Sequence, residues 1–266
     1  MKLERRYVEK PWGRMQLPPM FDAPEGQRIG EVWFTGAGEQ ALLAKYLFTS
    51  DRLSIQVHPD DEQARARGLE RGKSECWYIL DAEPDATLGL GLKRSVPADE
   101  LRAAALDGSI EHLLDLRPVR AGDFFLVPAG TIHAVGAGIT LLEFQQNSDV
   151  TYRLYDYGRP RELHLDDGVA VSRPEPYPDE LAQYLSGDEE RMLVDGPHFT
   201  LIHTKRDVLQ DRERWVMPLD GTVRSGTNVA GAGECLLVKA EEILTCDGGR
   251  MLIGATAEAR RHASKT

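Results

Sequence analysis

The sequence contains few cysteines and no long hydrophobic run, and these absences exclude several classes of protein. Its three cysteines, Cys76, Cys235 and Cys246, are an odd number at distant positions, which predicts reduced thiols rather than a disulfide scaffold. No apolar run is long enough to cross a bilayer. The charged residues 1–6 are not followed by the apolar core of a signal peptide. We therefore expect a cytoplasmic protein with no membrane partner.

Basic residues are also in the minority. Lys and Arg number 32 against 43 Asp and Glu, which gives a formal net charge of −11. This charge disfavours nucleic acid or an anionic membrane as the main partner. The sequence also lacks a Gly-rich phosphate loop, a dinucleotide fingerprint and a Ser-centred nucleophile elbow. Composition therefore predicts a globular protein of 266 residues with room for a sizeable core.

The distribution of short β segments and turns predicts a mainly β fold, a sandwich or a barrel. Polar stretches of helix-forming residues predict short helical insertions near 60–72 and 97–115. Residues 1–30 are rich in Pro and Gly, which predicts an irregular arm. A proline-rich stretch predicts a boundary between a first unit, residues 1–173, and a smaller β unit, residues 174–266.

One predicted strand carries the first candidate metal ligands. Residues 53–58 (Leu-Ser-Ile-Gln-Val-His) alternate apolar and polar side chains, so Gln56 and His58 share one face. Pro59 lacks the N–H that a ladder needs, and the strand should end there. A Gln-x-His pair on one face of a strand suits a metal bound inside a barrel.

The strongest motif covers residues 122–133, with the pattern Gly-x5-Pro-x-Gly-x2-His. Its glycines and proline predict a tight turn that directs the imidazole of His133 toward the barrel interior. Glu75 is the nearest acid on a strand after His58. Two imidazoles and a carboxylate are a common set of Zn²⁺ ligands in enzymes.

This second motif is a signature of the cupins, and the order of the motifs resembles the type I phosphomannose isomerases. The matching segments lie between residue 10 and about residue 170 and include 53–61 (LSIQVHPDD), 72–78 (GKSECWY), 128–134 (PAGTIHA) and 147–157 (NSDVTYRLYDY). The resemblance implies a cupin jelly-roll barrel in the first unit, followed by a smaller cupin-like unit. It also implies a metal-dependent aldose–ketose isomerase that interconverts mannose 6-phosphate and fructose 6-phosphate through an enediol(ate), with a phosphosugar as its partner.

The resemblance further implies one Zn²⁺ per chain and roles for individual residues. These are the metal ligands Gln56, His58, Glu75 and His133, the catalytic residues Arg153 and Lys73, and the substrate phosphate contacts Lys45 and Ser54. Structural roles stay open beside these: an ion pair of Arg153 with Asp149 or Asp156, a surface position for Lys73, and extension of Lys45 to solvent. The remaining histidines have no motif context and are interpreted as structural: His112, His164, His198, His203 and His262.

Two other functions remain open at the level of sequence. One is a cupin isomerase or oxygenase acting on another sugar or polyol, of which an oxygenase would need a redox metal such as Fe²⁺. The other is a sugar-binding cupin without catalysis. The C-terminal unit could serve in packing, in forming a homodimer or in covering the cleft.

Overall fold

The computed structural model describes residues 1–257, and His262 lies outside that range. The β strands of the described chain are β1 (Glu4–Arg14), β2 (Ile29–Thr35), β3 (Leu42–Phe48), β4 (Ile55–Val57), β5 (Glu75–Ala82), β6 (Thr87–Leu92), β7 (Leu114–Pro118), β8 (Asp123–Val127), β9 (His133–Val135), β10 (Ile139–Gln146), β11 (Tyr152–Tyr155), β12 (Ala182–Tyr184), β13 (Arg191–Asp195), β14 (Phe199–Thr204), β15 (Arg214–Pro218), β16 (Thr222–Ser225), β17 (Asn228–Gly231), β18 (Leu236–Val238), β19 (Thr245–Asp247) and β20 (Met251–Thr256). The helices are α1 (Asp61–Arg65), α2 (Ala98–Asp107), α3 (Ile110–Leu113), α4 (Leu165–Val171) and a 3₁₀ turn at Asp179–Leu181. Among the described residues, no helix is long and apolar enough to cross a membrane.

Two antiparallel sheets form a barrel in the first part of the chain. One sheet has the strand order β1-β2-β3-β10-β5-β8-β12 and the other the order β11-β4-β9-β6-β7. Apolar side chains of the two sheets meet in one buried cluster, in which Trp77 and Ile79 of β5 accompany Leu88 of β6 and Val135 of β9. The mainly β architecture expected from the sequence is confirmed.

The second part of the chain forms two further sheets, with the orders β13-β14-β20-β15-β18 and β17-β16-β19. It packs on the barrel through aromatic side chains. The ring of Phe144 on β10 lies edge-on to those of Phe199 (5.3 Å between centroids) and Trp215 (6.3 Å). β12 lies after residue 173 and still pairs with β8 of the barrel, while the boundary at that residue stays a prediction.

The prediction of an irregular arm over residues 1–30 is wrong for the first half of that range, because β1 is a strand of 11 residues. β1 lies at the edge of its sheet and pairs with β2 alone. The register between them shifts between Glu9 and Arg14, so Pro11 interrupts no continuous ladder. Proline is tolerated at such an edge and bulge because no neighbouring strand needs its missing N–H.

The first helical insertion is shorter than expected. Within residues 60–72, a helix covers only Asp61–Arg65. Gly68 then adopts φ +74°, and the chain turns back until the N–H of Lys73 donates to the carbonyl of Pro59 (3.0 Å). The region 97–115 contains α2 and α3, which are separated at Gly108.

Candidate metal centre

A three-residue strand places the Gln-x-His pair. Ile55 and Val57 of β4 are fully buried, so the intervening Gln56 faces the other way and lies opposite His133 in the register of β4 and β9. His58 follows directly after the strand. The next turn is fixed because Asp60 caps α1 by accepting a hydrogen bond from the N–H of Gln63 (2.8 Å).

The Gly-Pro motif forms the tight turn that the sequence predicts. Gly130 has φ +86°, a conformation that favours glycine, and its N–H donates to the carbonyl of His58 (2.8 Å). The N–H of Thr131 closes the turn on the carbonyl of Pro128 (3.1 Å). The turn therefore joins the His58 segment to the strand that begins with His133.

Three side chains converge as a donor set. The ligand atoms of His58, Glu75 and His133 all lie within 4.8 Å of one another, and each residue is about 1% exposed. Glu75 Oε1 is 3.5 Å from Nε2 of His58 and 3.3 Å from Nε2 of His133. The sequence motifs therefore bring their three strongest candidate ligands together.

Backbone carbonyls orient both imidazoles. Nδ1–H of His58 donates to the carbonyl of Val150 (2.8 Å), and Nδ1–H of His133 donates to that of Thr131 (2.9 Å). Each Nε2 consequently carries the lone pair, and both point at Glu75. Metal-binding histidines are typically held by such a bond from the other ring nitrogen.

The protonation states also suit a metal. Burial, reinforced by the charge of Lys73, lowers the pKa of His58 to about 3, and burial lowers the pKa of His133. Burial alone would raise the pKa of Glu75, but the charge of Lys73 brings it well below its usual value. Two neutral imidazoles and an ionised carboxylate are the forms that bind Zn²⁺, and the donor set therefore fits this ion.

Gln56 lies at the border of the donor set. Its Nε2 is 3.2 Å from Nε2 of His133, and its Oε1 accepts a hydrogen bond from the hydroxyl of Ser54 (3.1 Å). A half-turn of the amide would exchange these two atoms and direct the oxygen toward His133. Its place as a fourth ligand stays a prediction.

Lys73 is buried beside the donor set. Its Nζ lies 2.8 Å from Glu75 Oε2 and 3.2 Å from Nε2 of His58. The side chain is 5% exposed, so the surface position considered for it is wrong. Its charge is instead held at the site.

A further buried carboxylate, Glu143 on β10, was not singled out from the sequence. It lies opposite Lys45 of β3, and its Oε2 is 3.3 Å from Lys45 Nζ. Its Oε1 is 3.6 Å from Lys73 Nζ and has no hydrogen-bond partner among the described residues. Burial and the nearby charge of Glu75 raise the pKa of Glu143 to about 8. The sequence feature that could have identified Glu143 is an acidic residue within the apolar run of β10 (Leu-Leu-Glu-Phe).

A cavity of about 250 Å³ lies beside the donor set and is lined by Glu75, but not by His58 or His133. Its walls include the predicted site residues Lys45, Ser54, Gln56, Lys73, Glu75 and Arg153. Polar wall residues not assigned to the site from the sequence are Lys10, Glu31, Glu143, Asp149, Thr151, Arg161 and His164. Lys45 is 4% exposed and also lies 3.8 Å from Glu31, so it does not extend to solvent.

Arg153 lies on β11 with its backbone and side chain held by the loop that follows. Its guanidinium donates to the carbonyl of Glu162 (2.8 Å), and its N–H donates to Nδ1 of His164 (3.2 Å). Asp156, considered as its ion-pair partner, accepts instead from Arg159 (2.7 Å) and Arg161 (2.5 Å). Arg153 is therefore available at the cavity wall.

The chain is similar to proteins named mannose-6-phosphate isomerase. No protein-family model matches the chain. A mannose-6-phosphate isomerase from Streptococcus mutans is 43% identical over 168 residues, which cover 60% of this chain and 53% of that protein. The chain spans about half the length of the curated relatives it matches.

Solved structures extend the likeness over nearly the whole chain. The mannose 6-phosphate isomerase from Bacillus subtilis superposes with a TM-score of 0.80 at 27% identity, covering 95% of this chain and 98% of that one. A zinc-bound mannose 6-phosphate isomerase shares the fold, with a TM-score of 0.71 at 16% identity and coverage of 96% and 98%. Such structures are cupins, so the expected cupin fold is confirmed.

Proposed function

Since the chain belongs to the family of mannose-6-phosphate isomerases, we propose that it interconverts mannose 6-phosphate and fructose 6-phosphate. The observation that carries the proposal is the buried donor set of His58, Glu75 and His133 beside a polar cavity. Lys73 and Arg153 add positive charge around the same space. A non-catalytic sugar-binding cupin would have no need for this combination.

The three residues of the donor set, with Gln56 as a fourth ligand, would hold one Zn²⁺ per chain. When bound, the ion would supply Lewis-acid polarisation of the sugar oxygens at C1 and C2. Glu75 must stay ionised for this, and its contact with Lys73 (2.8 Å) favours that form. The Nδ1–H bonds to carbonyl oxygens keep both imidazoles in the required orientation.

The reaction moves a proton between C2 and C1. Removal of the C2 proton leaves its electron pair in a new C1–C2 double bond, and the C1 carbonyl oxygen becomes that of an enediolate. The hydroxyl proton then moves from O2 to O1, and return of a proton to C1 restores the C2 carbonyl and gives the ketose. We propose Glu143 as the proton carrier, because this residue lines the cavity and its Oε1 has no hydrogen-bond partner among the described residues.

Positive charge at the cavity would stabilise the enediolate. Lys73 lies between Glu75 and Glu143, and Arg153 lines the same cavity. Lys45 and Ser54 also line the cavity, and we retain them as the proposed contacts of the substrate phosphate. Lys45 already contacts two carboxylates, so Ser54 is the less constrained of the two.

A coupled assay of the purified protein with mannose 6-phosphate tests the proposal. We expect turnover that is lost after chelation and restored by Zn²⁺. Metal analysis of the protein before chelation separates this reading from an oxygenase, which would contain a redox metal. Absence of turnover with zinc restored would contradict the proposed function.

Replacement of Arg153 by alanine should lower kcat by about 10²-fold, the usual effect of removing one donor to a developing oxyanion. Zinc content should be unchanged, because Arg153 contacts none of the donor atoms in the described structure. Arg159→Ala is the matched control, since Arg159 lies in the loop that follows β11, pairs with Asp156 and does not line the cavity. Equal losses in the two variants would assign Arg153 a structural role.

The acidic charge and the predicted reduced thiols support a cytoplasmic location as part of the proposal. The substrate partner would be a phosphosugar. Formation of a homodimer stays a prediction that light scattering can test.

A further inference from the structure

A chain of hydrogen bonds joins the start of α1 to the start of β5. Oδ1 of Asp61 accepts from the N–H of Gly72 (2.9 Å) and from Nε2 of Gln146 (2.9 Å). Oε1 of Gln146 in turn accepts from the N–H of Ser74 (2.9 Å). This series of hydrogen bonds therefore ends at the backbone N–H of Ser74, between Lys73 and Glu75, two residues that line the cavity.

The residue between Lys73 and Glu75 is fixed from several sides. The carbonyl of Ser74 accepts from the backbone N–H of Gln146 (3.1 Å), and its hydroxyl accepts from the N–H of Ala129 (3.2 Å). Gln146 is 6% exposed; its hydrogen bond to Ser74 is buried, and its hydrogen bond to Asp61 is partly buried. Leaving a buried side-chain amide without hydrogen-bond partners costs free energy. The arrangement therefore requires a side chain at Gln146 that offers both a donor and an acceptor.

Asp61 is not explained by helix capping. The N-cap of α1 is Asp60, whose carboxylate and backbone N–H form the capping box with Gln63. The side chain of Asp61 instead reaches across the turn to Gly72 and Gln146, and its Oδ2 lies 3.7 Å from Nδ1 of His198 in the second part of the chain. The two neighbouring aspartates thus have different roles: Asp60 caps α1, and Asp61 contacts the segment that leads into β5.

We propose that Asp61 and Gln146 are positioning residues that set the placement of Lys73 and Glu75 at the metal centre. They touch neither the donor atoms nor the cavity, and they act through the backbone of Gly72 and Ser74. The consequence for catalysis rests on the proposed function, whereas the consequence for metal binding rests on the donor set alone. Supports of this kind typically change metal affinity or activity by about 10- to 100-fold when they are removed.

The test measures zinc affinity, by competition with a chromophoric chelator, and isomerase kinetics on the zinc-loaded protein. Asp61→Ala should weaken zinc binding and lower kcat by about 10-fold each, with a smaller change in KM. Asp61→Asn keeps the accepting oxygen and should restore both values to within about fivefold, because only the partly exposed 3.7 Å contact with His198 loses its charge. Gln146→Ala should match Asp61→Ala, and the double variant should be no worse than either single one.

Asp60→Ala is the matched control, since it removes the neighbouring carboxylate and one helix cap. It should lower thermal stability and leave zinc affinity and kcat close to those of the unsubstituted protein. The proposal is overturned if Asp61→Ala leaves both quantities unchanged, if Asp61→Asn is as damaged as Asp61→Ala, or if Asp60→Ala has the same effect. If the unsubstituted protein binds zinc but turns over no mannose 6-phosphate, the proposed function fails, and the zinc affinities still decide the positioning role.

Discussion

Replacement of His133 by alanine is expected to abolish stoichiometric zinc binding and to reduce isomerase activity by about 10³-fold or more, since Lewis-acid polarisation contributes several kcal/mol. His133 supplies one of the three converging donors, and its Nε2 is 3.3 Å from Glu75 Oε1. Its loss would leave His58 and Glu75 as the only members of the set, together with the weaker amide of Gln56. Metal analysis after dialysis and the coupled assay measure the two effects.

His203→Ala provides a matched control for the loss of a buried imidazole. His203 is as buried as His133, at about 1% exposed, and its Nδ1–H also donates to a backbone carbonyl, that of Glu189 (2.5 Å). It lies on β14, away from the donor set, so its removal should lower thermal stability without loss of zinc. Full zinc content and activity in His133→Ala would refute the donor set.

The donor set could be predicted because each ligand lies in a short motif that determines its own geometry. Gly130 requires a positive φ, and the strand around His58 alternates apolar and polar side chains, so both imidazoles are directed inward by local sequence. Glu75 follows from its position at the start of a strand. Local rules were sufficient here because the turn and strand conformations depend little on distant residues.

Glu143 illustrates what local rules do not supply. Its partner Lys45 is opposite only in the register of β3 and β10, about a hundred positions apart in the sequence. Taken alone, either residue is only a polar interruption of an apolar strand. Their pairing can be inferred only when the register of the two strands is known. The same holds for β1, where proline and glycine suggested an irregular arm although an edge strand with a bulge accommodates Pro11.

The supporting role proposed for Asp61 and Gln146 could not be predicted from the sequence, for the same reason. From the sequence alone, Asp60 and Asp61 are equivalent candidates for the helix cap, because both precede a polar stretch of helix formers. Which aspartate caps the helix depends on the residue at which the helix begins. The helix also ends earlier than its composition predicts. The free carboxylate then became available for a contact with β10, 85 residues further along the chain.

Glu143→Gln should lower kcat by about 10²- to 10⁴-fold, the range attributed to general acid–base catalysis, while zinc content and KM change little. Glutamine keeps the volume of the side chain and removes its capacity to carry the proton. The fold should tolerate the change, because Lys45 retains its contact with Glu31 (3.8 Å) and Lys73 retains its contact with Glu75 (2.8 Å). Steady-state kinetics and exchange of the C2 proton of mannose 6-phosphate with solvent deuterium measure the loss.

Glu31→Gln separates proton transfer from the general effect of a lost buried charge. Glu31 is also a buried carboxylate on the cavity wall and also contacts Lys45, but it is further bonded to Lys10 (3.4 Å) and accepts from the indole N–H of Trp33 (2.5 Å). Its carboxylate is therefore occupied by fixed partners, whereas Oε1 of Glu143 has no hydrogen-bond partner among the described residues and only a 3.6 Å contact with Lys73. We expect Glu31→Gln to affect KM more than kcat, and Glu143→Gln to do the reverse. Retention of more than about a tenth of kcat by Glu143→Gln would be too small a loss for a proton carrier, and the role would then pass to another group at the cavity.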